Sequence, residues 1–229
     1  MLVGLRALPM RVDAEKIIGC PHCGFLYKQP PAPARNATGA ILWSDGYEYA
    51  PLAPDPPLIT RCWCCNQFFW MVDALVANKA VLGDMEAEVR RHSPTVQDLT
   101  LQGYSQALDA GVGTDPLKQR HLLIYFWWKV NDLVRDFPDR PLPAGKALLA
   151  YHAYQPKVRR CLAELVPILE DDDPNDYLMK AEIAREMGDF SEAIRLLHDL
   201  PAKMHWVADQ IREWAQAGDT TVRRLRRDL

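Results

Sequence analysis

Two C-x-x-C pairs, Cys20-Pro21-His22-Cys23 and Cys62-Trp63-Cys64-Cys65, set the strongest limit on what this chain can fold into. Two thiolates three positions apart can approach one cation while backbone N–H groups turn toward the sulfurs. Two such pairs supply four sulfurs, so two distant stretches must meet at one point. Gly24 follows the first pair and Asn66 the second. These are the residue types that best tolerate the left-handed backbone on which such a knuckle closes. The spacing assigns Cys20, Cys23, Cys62 and Cys65 to one structural Zn2+, a closed site with no position left for water or substrate. Cys64 is surplus and is the alternative to a neighbour as ligand. Iron fits the same four thiolates. A redox C-x-x-C is the remaining alternative, although that motif normally stands unpaired at a helix start.

Four of the six cysteines fall in these pairs, a metal layout rather than a disulfide framework. That points to a reducing cytoplasm. No apolar run approaches the roughly 18 residues of a membrane span. The longest, Leu122 to Trp128, is stopped by Lys129. The N-terminal stretch is interrupted by Arg6 and reads as no leader; Leu2, Leu5 and Leu8 can pack on the body. A net charge of -3 gives no global case for binding nucleic acid or an anionic membrane, and 48% hydrophobic residues suffice for a sizeable core.

Phe25-Leu26-Tyr27 begins a strand after the first knuckle, and Pro30, Pro31 and Pro33 exclude a helix from the connector. Asp45-Gly46 between Ile41-Leu42-Trp43 and Tyr47-Glu48-Tyr49 is a hairpin signal, because Asp-Gly accepts a left-handed turn. We place this hairpin in the ribbon, with the metal at its base. The ribbon aromatics Trp43, Tyr47 and Tyr49 can stack on bases, but Asp45 and Glu48 accompany them where basic residues are needed, which argues against nucleic-acid binding. The other role for Trp43 and Tyr49 is to anchor onto helices.

Phe68 to Met71 leads into a short helix running through Leu75 and Val76 to Leu82. Ser93-Pro94 reads as a helix start, with Val96, Leu99, Tyr104 and Leu108 on one face. Thr114-Asp115-Pro116 opens the longest helix, about 115–136, closed by Phe137-Pro138. Helices follow over 144–154, over 156–169, and after the cap Asp171-Asp172-Asp173-Pro174. Arg223, Arg224, Arg226 and Arg227 read as a solvated last helical turn, the alternative being contact with an anionic surface.

On helix 115–136, His121, Tyr125, Trp128, Asp132 and Arg135 share one stripe, with Asn131 beside it. Such a stripe can line a ligand or enzyme pocket, or form a semi-buried seam whose polar tips bond one another. No nucleotide-binding glycine loop, HExxH or Gly-x-Ser-x-Gly is present, so the balance falls against an enzyme.

Residues 177–200, with Gly188-Asp189-Phe190, Glu192-Ala193-Ile194 and Leu197, resemble one tetratricopeptide repeat, which implies a repeat-like scaffold and only weakly a peptide-binding groove, the alternative being a hairpin that packs onto another domain. The Cys20-to-Gly24 and Arg61-to-Cys65 stretches resemble an uncharacterised group of bacterial zinc-ribbon proteins of pattern CPxCG…CxxC. So do Asn36 to Ala40, Leu42 to Gly46, Ala50 to Pro54, and Trp127-Trp128 with Asn131, Asp132 and Arg135. That resemblance implies a ribbon and carries no activity.

The expected fold is α+β, a small N-terminal zinc ribbon packed on a mainly helical, partly tetratricopeptide-like part. Residues 1–83 form the ribbon with its proline-rich insertion and following helix, 84–170 a helical domain, and 171–229 helical hairpins. The expected role is a non-catalytic scaffold or interaction module with a protein partner.

Overall fold

The computed structural model describes residues 15–31, 33–34, 36, 38–77, 82–139 and 143–227. Leu2, Leu5 and Leu8 lie outside these residues. The described residues group into two compact units, one holding those of 15–39 and 50–112, the other those of 40–49 and 113–227. We call them the cysteine unit and the helical unit.

The cysteine unit is built from two β-hairpins of the same design. In the first, β1 (Lys16–Gly19) runs through a knuckle into β2 (Leu26–Gln29), with Gly19 opposite Leu26. In the second, β5 (Ile59–Arg61) runs through a knuckle into β6 (Phe68–Trp70), with Arg61 opposite Phe68. β7 (Leu75–Ala77) then pairs antiparallel with β1, giving the order β2-β1-β7. β1 is thus the central strand, and Ile17 and Ile18 are both buried. A helix was expected through Leu75 and Val76. Pairing of Ile18 with Val76 overrides it, and Ala74 in extended conformation ends the preceding short turn. Ile18, Tyr27, Phe69 and Val96 pack around Cys20 and Cys62, so the sulfurs are part of a small core.

Among the described residues this unit also carries the α-helices α1 (Glu86–His92) and α2 (Leu101–Asp109). The helix start expected at Ser93-Pro94 is displaced. Pro94 O accepts from Lys28 N and Val96 N donates to Lys28 O, which holds this stretch extended beside β2. Thr100 is the cap instead, its hydroxyl accepting from Gly103 N.

In the helical unit, α3 (Pro116–Asn131) starts where Asp115 accepts from Lys118 N and Pro116 stands in the first turn. Leu122, Leu123, Ile124, Phe126, Trp127 and Val130 are all fully buried, so apolar side chains surround the helix and it is central to the unit. It packs along α4 (Lys146–Leu165). Two helices were expected here, split at Pro156. The proline lies inside one continuous α4 at an exposed position, where water can satisfy the carbonyl left without a donor.

α5 (Pro174–Met187) is capped by Asp173, and Gly188 ends it in the left-handed region at φ 87°. Asp189 then caps α6 (Phe190–Leu196), and α7 (His205–Gln216) packs on both α5 and α6. Ala181, Leu197, Val207 and Ile211 belong to the core they share.

A β-hairpin belongs to this helical unit. β3 (Ile41–Leu42) and β4 (Glu48–Tyr49) pair antiparallel around the Asp45-Gly46 turn. The hairpin was expected on the ribbon; its apolar residues instead pack with helical-unit side chains, Ile41 and Trp43 against Val222 and Val134. The arginine-rich C-terminal stretch is not a helical turn. Leu225 N donates to Leu42 O, Ser44 N to Arg223 O, and Arg223 N to Ser44 Oγ, so it lies extended along β3. Gln210 brackets Arg226 through its backbone N–H and carbonyl. Asp219 pairs with Arg223, and the Arg227 guanidinium lies over Trp206.

Deleting residues 222–229 therefore removes two buried side chains, Val222 and Leu225, and the partner of β3. At roughly 1.5–3 kcal/mol for each aliphatic side chain, the loss is expected to reach about 3 kcal/mol or more. Urea unfolding followed by tryptophan fluorescence measures it.

Candidate metal centre

The knuckles are near copies of each other. Gly24 N donates to Cys20 O at 2.8 Å and Cys20 N to Phe25 O at 2.9 Å. Asn66 N donates to Cys62 O at 2.9 Å and Cys62 N to Gln67 O at 2.8 Å. Gly24 has φ 75° and Asn66 φ 60°, the latter being the sole non-glycine at positive φ among the described residues. Both knuckles thus close on the left-handed residue that their sequences provide.

The sulfurs of Cys20, Cys23, Cys62 and Cys65 all lie within 4.8 Å of one another. Cys20 Sγ is 3.8 Å from Cys65 Sγ, and Cys23 Sγ is 3.6 Å from Cys62 Sγ. Four sulfurs at about 2.3 Å from a tetrahedral centre are separated by about 3.8 Å. The donors therefore fit one metal ion. Cys64 is exposed and outside the cluster, and His22 Nε2 meets Phe68 O at 3.1 Å. Cys20 and Cys62 are buried, while Cys23 is exposed and Cys65 intermediate.

Hydrogen bonds orient the sulfurs. The backbone N–H groups of His22 and Cys23 reach Cys20 Sγ, and those of Cys64 and Cys65 reach Cys62 Sγ. The Tyr27 hydroxyl accepts from Trp63 N at 2.7 Å and favours the Cys62 thiolate. The two buried thiols differ as a result. Burial pushes Cys20 up to about 12. Burial also raises Cys62, but the Cys65 N–H and the Tyr27 hydroxyl outweigh it and bring the thiol to about 6. Tyr27 was not singled out by sequence reasoning; its signal was an aromatic residue four positions after Cys23 on a strand that must run past the site.

A second polar centre lies in the helical unit. Along α3 and the turn after it, the stripe named from the sequence faces the hairpin. The His121 and Tyr125 rings are 4.0 Å apart, Tyr125 and Trp128 4.9 Å, and Trp128 and Tyr47 5.4 Å. Trp128 Nε1 donates to Asp45 O at 3.0 Å and Asn131 Nδ2 to Asp45 Oδ2 at 2.9 Å. Arg135 pairs with Asp45, both side chains being fully buried, and with Asp132 at 2.7 Å. The Arg135 guanidinium also lies 4.4 Å from the Tyr47 ring centroid and 5.4 Å from that of Trp43. Tyr49 donates to Asp139 at 2.9 Å and stands edge-on to Phe137. The aromatics of the hairpin are therefore packed against helical-unit residues.

Three further residues of this centre escaped sequence reading. Glu182 and Arg185 are fully buried on α5 and joined at 2.6 and 2.8 Å. Arg185 also donates to the carbonyls of Asp219 and Thr221. Glu186 accepts from Trp127 Nε1 at 2.7 Å and from Asn131 Nδ2 at 3.1 Å. Charged residues on an apparently surface helix gave no sign of burial. Burial, with Glu182 and Asp45 nearby, holds the Glu186 carboxyl well above the usual range. Burial raises the Glu182 carboxyl as well, although Arg185 beside it pulls the other way.

No family model matches the chain, and comparison with curated proteins and with solved structures yields no match either.

Two outcomes are expected here. Tyr27→Phe leaves Trp63 N–H without its acceptor and Cys62 without the hydroxyl that favours its thiolate, and is expected to weaken metal binding by about tenfold, read by competition against a chromophoric chelator. Glu186 holds its proton more tightly folded than unfolded, so its contribution to stability falls as pH rises above the ordinary value of 4.5 toward its raised folded value. Glu186→Gln cannot titrate. Its stability relative to the parent chain is expected to improve steadily above pH 4.5, in thermal melts run across pH.

Proposed function

We propose that the four cysteines hold one structural Zn2+ and that the chain is a non-catalytic scaffold serving a protein partner in a reducing cytoplasm. The observation that carries this is the donor set. Four thiolates at tetrahedral spacing fill the coordination sphere and leave no open position for a reacting group. Zinc would supply the cross-link that so small a β-unit needs, and the four cysteines, Tyr27 and the knuckle N–H groups would orient and shield it.

The helical unit supports the same reading. Asp45, Asn131, Asp132 and Arg135 bond one another or their neighbours. A catalyst would need such groups turned toward substrate. The α5–α6 hairpin is the tetratricopeptide-like element and supplies the docking side of the scaffold. No helix among the described residues is long and apolar enough to cross a membrane.

The metal is tested by X-ray absorption on protein purified from its native host. Zinc with four sulfurs at about 2.3 Å is expected; an iron edge would overturn the assignment. The scaffold role is tested by isolating the tagged native chain and rebuilding any complex from purified components. A defined stoichiometry, lost on chelation, supports it. A turnover by the purified chain alone would refute it.

A further inference from the structure

The chain takes an unusual path through its two units. It leaves the cysteine unit after Gly39, contributes residues 40–49 to the helical unit, and returns at Ala50. This excursion lies between Cys23 and Cys62, whose sulfurs are 3.6 Å apart. The segment that seats the hairpin is therefore the middle of a loop closed by the metal ligands.

We propose that the hairpin β3–β4 is a strap that couples metal binding to the packing of the helical unit, so that each stabilises the other. The inference rests on the metal reading given above. Three observations carry it.

The strap has no means of holding itself. Its strands are two residues each, too short for an independent hairpin in water. Its order comes from Asp45 on Arg135 and Asn131, Trp128 on Asp45 O, and the C-terminal stretch along β3. The helical unit in turn depends on the strap, because Arg135 is fully buried and Asp45 supplies its buried counter-charge.

Both ends of the strap are anchored in the cysteine unit. With the cysteines joined through a metal, Gly39 and Ala50 leave a folded body. Without that junction, the strap is held to the cysteine unit by chain connectivity alone, and residues 50–112 are its one covalent path to the rest of the helical unit. Closing a loop raises the effective concentration of the segment it carries. Linkage is reciprocal, so what metal binding gives to strap seating, strap seating returns to metal affinity.

Hydrogen exchange on the full chain, with and without a zinc chelator, tests the proposal. The metal content of the untreated protein is measured first. A chain that takes up no metal refutes the metal reading itself, whereas metal uptake with no coupling refutes only the strap. In the metal-free protein the amides of Trp43, Ser44, Arg223 and Leu225 are expected to exchange at least tenfold faster. The α6–α7 amides are expected to change far less. Unchanged protection at Ser44 and Leu225 would overturn the proposal.

The reciprocal arm uses Asp45→Asn, expected to weaken zinc affinity by about fivefold or more although it lies outside the ligand set. Ser44→Ala, which removes the acceptor for Arg223 N and a hydroxyl that favours the Glu182 carboxylate, is the milder variant should the first fail to fold. Zinc affinity equal to that of the parent chain in the folded variant would overturn the coupling.

Discussion

The buried pair of Asp45 and Arg135 is the contact on which the helical unit most depends. Both side chains are wholly removed from solvent. A buried charge without its partner is strongly destabilising, so neither residue can be lost alone. The pair fixes the Asp45-Gly46 turn against the end of α3, and the turn fixes β3. β3 then gives the C-terminal stretch an edge to run along. Asn131 and Trp128 add bonds to the same aspartate, and Tyr47 and Trp43 flank the guanidinium. Trp128, Asn131, Asp132 and Arg135 thus bond groups within the helical unit.

The cysteine unit solves a different problem. Its core is small, a few apolar side chains around two buried thiols. The matching knuckles place four sulfurs at the spacing that one tetrahedral ion requires, and Tyr27 holds the Trp63 N–H beside them. Four sulfurs so placed could accept one metal ion, a cross-link that would add to what so small a core can bury.

Much of this was legible in the chain because it is local. The C-x-x-C spacing, Gly24 and Asn66 determine the knuckles within a few residues. Asp115-Pro116 and Asp173-Pro174 start α3 and α5 through side-chain bonds to N–H groups two or three positions on. Asp45-Gly46 makes a turn wherever it sits. What failed was long-range. Leu75 to Ala77 became a strand because β1 offers an edge, and Pro94 to Val96 were drawn extended beside β2. Pro156 was absorbed into α4 at an exposed position. Glu182, Arg185 and Glu186 looked like solvated helix charges and are members of a buried network.

The sequence by itself determined that two knuckles meet at one metal-sized point, that a turn forms at Asp45-Gly46, and that a long apolar helix follows Pro116. Each follows from spacing, backbone tolerance or capping, which act over a few residues. Tertiary structure alone decided where the hairpin goes. Its aromatics and its aspartate suit a ribbon surface or a helical seam equally well as a string of letters. The choice lies with Arg135, some ninety positions away, whose burial is stable only with the carboxylate that the turn delivers.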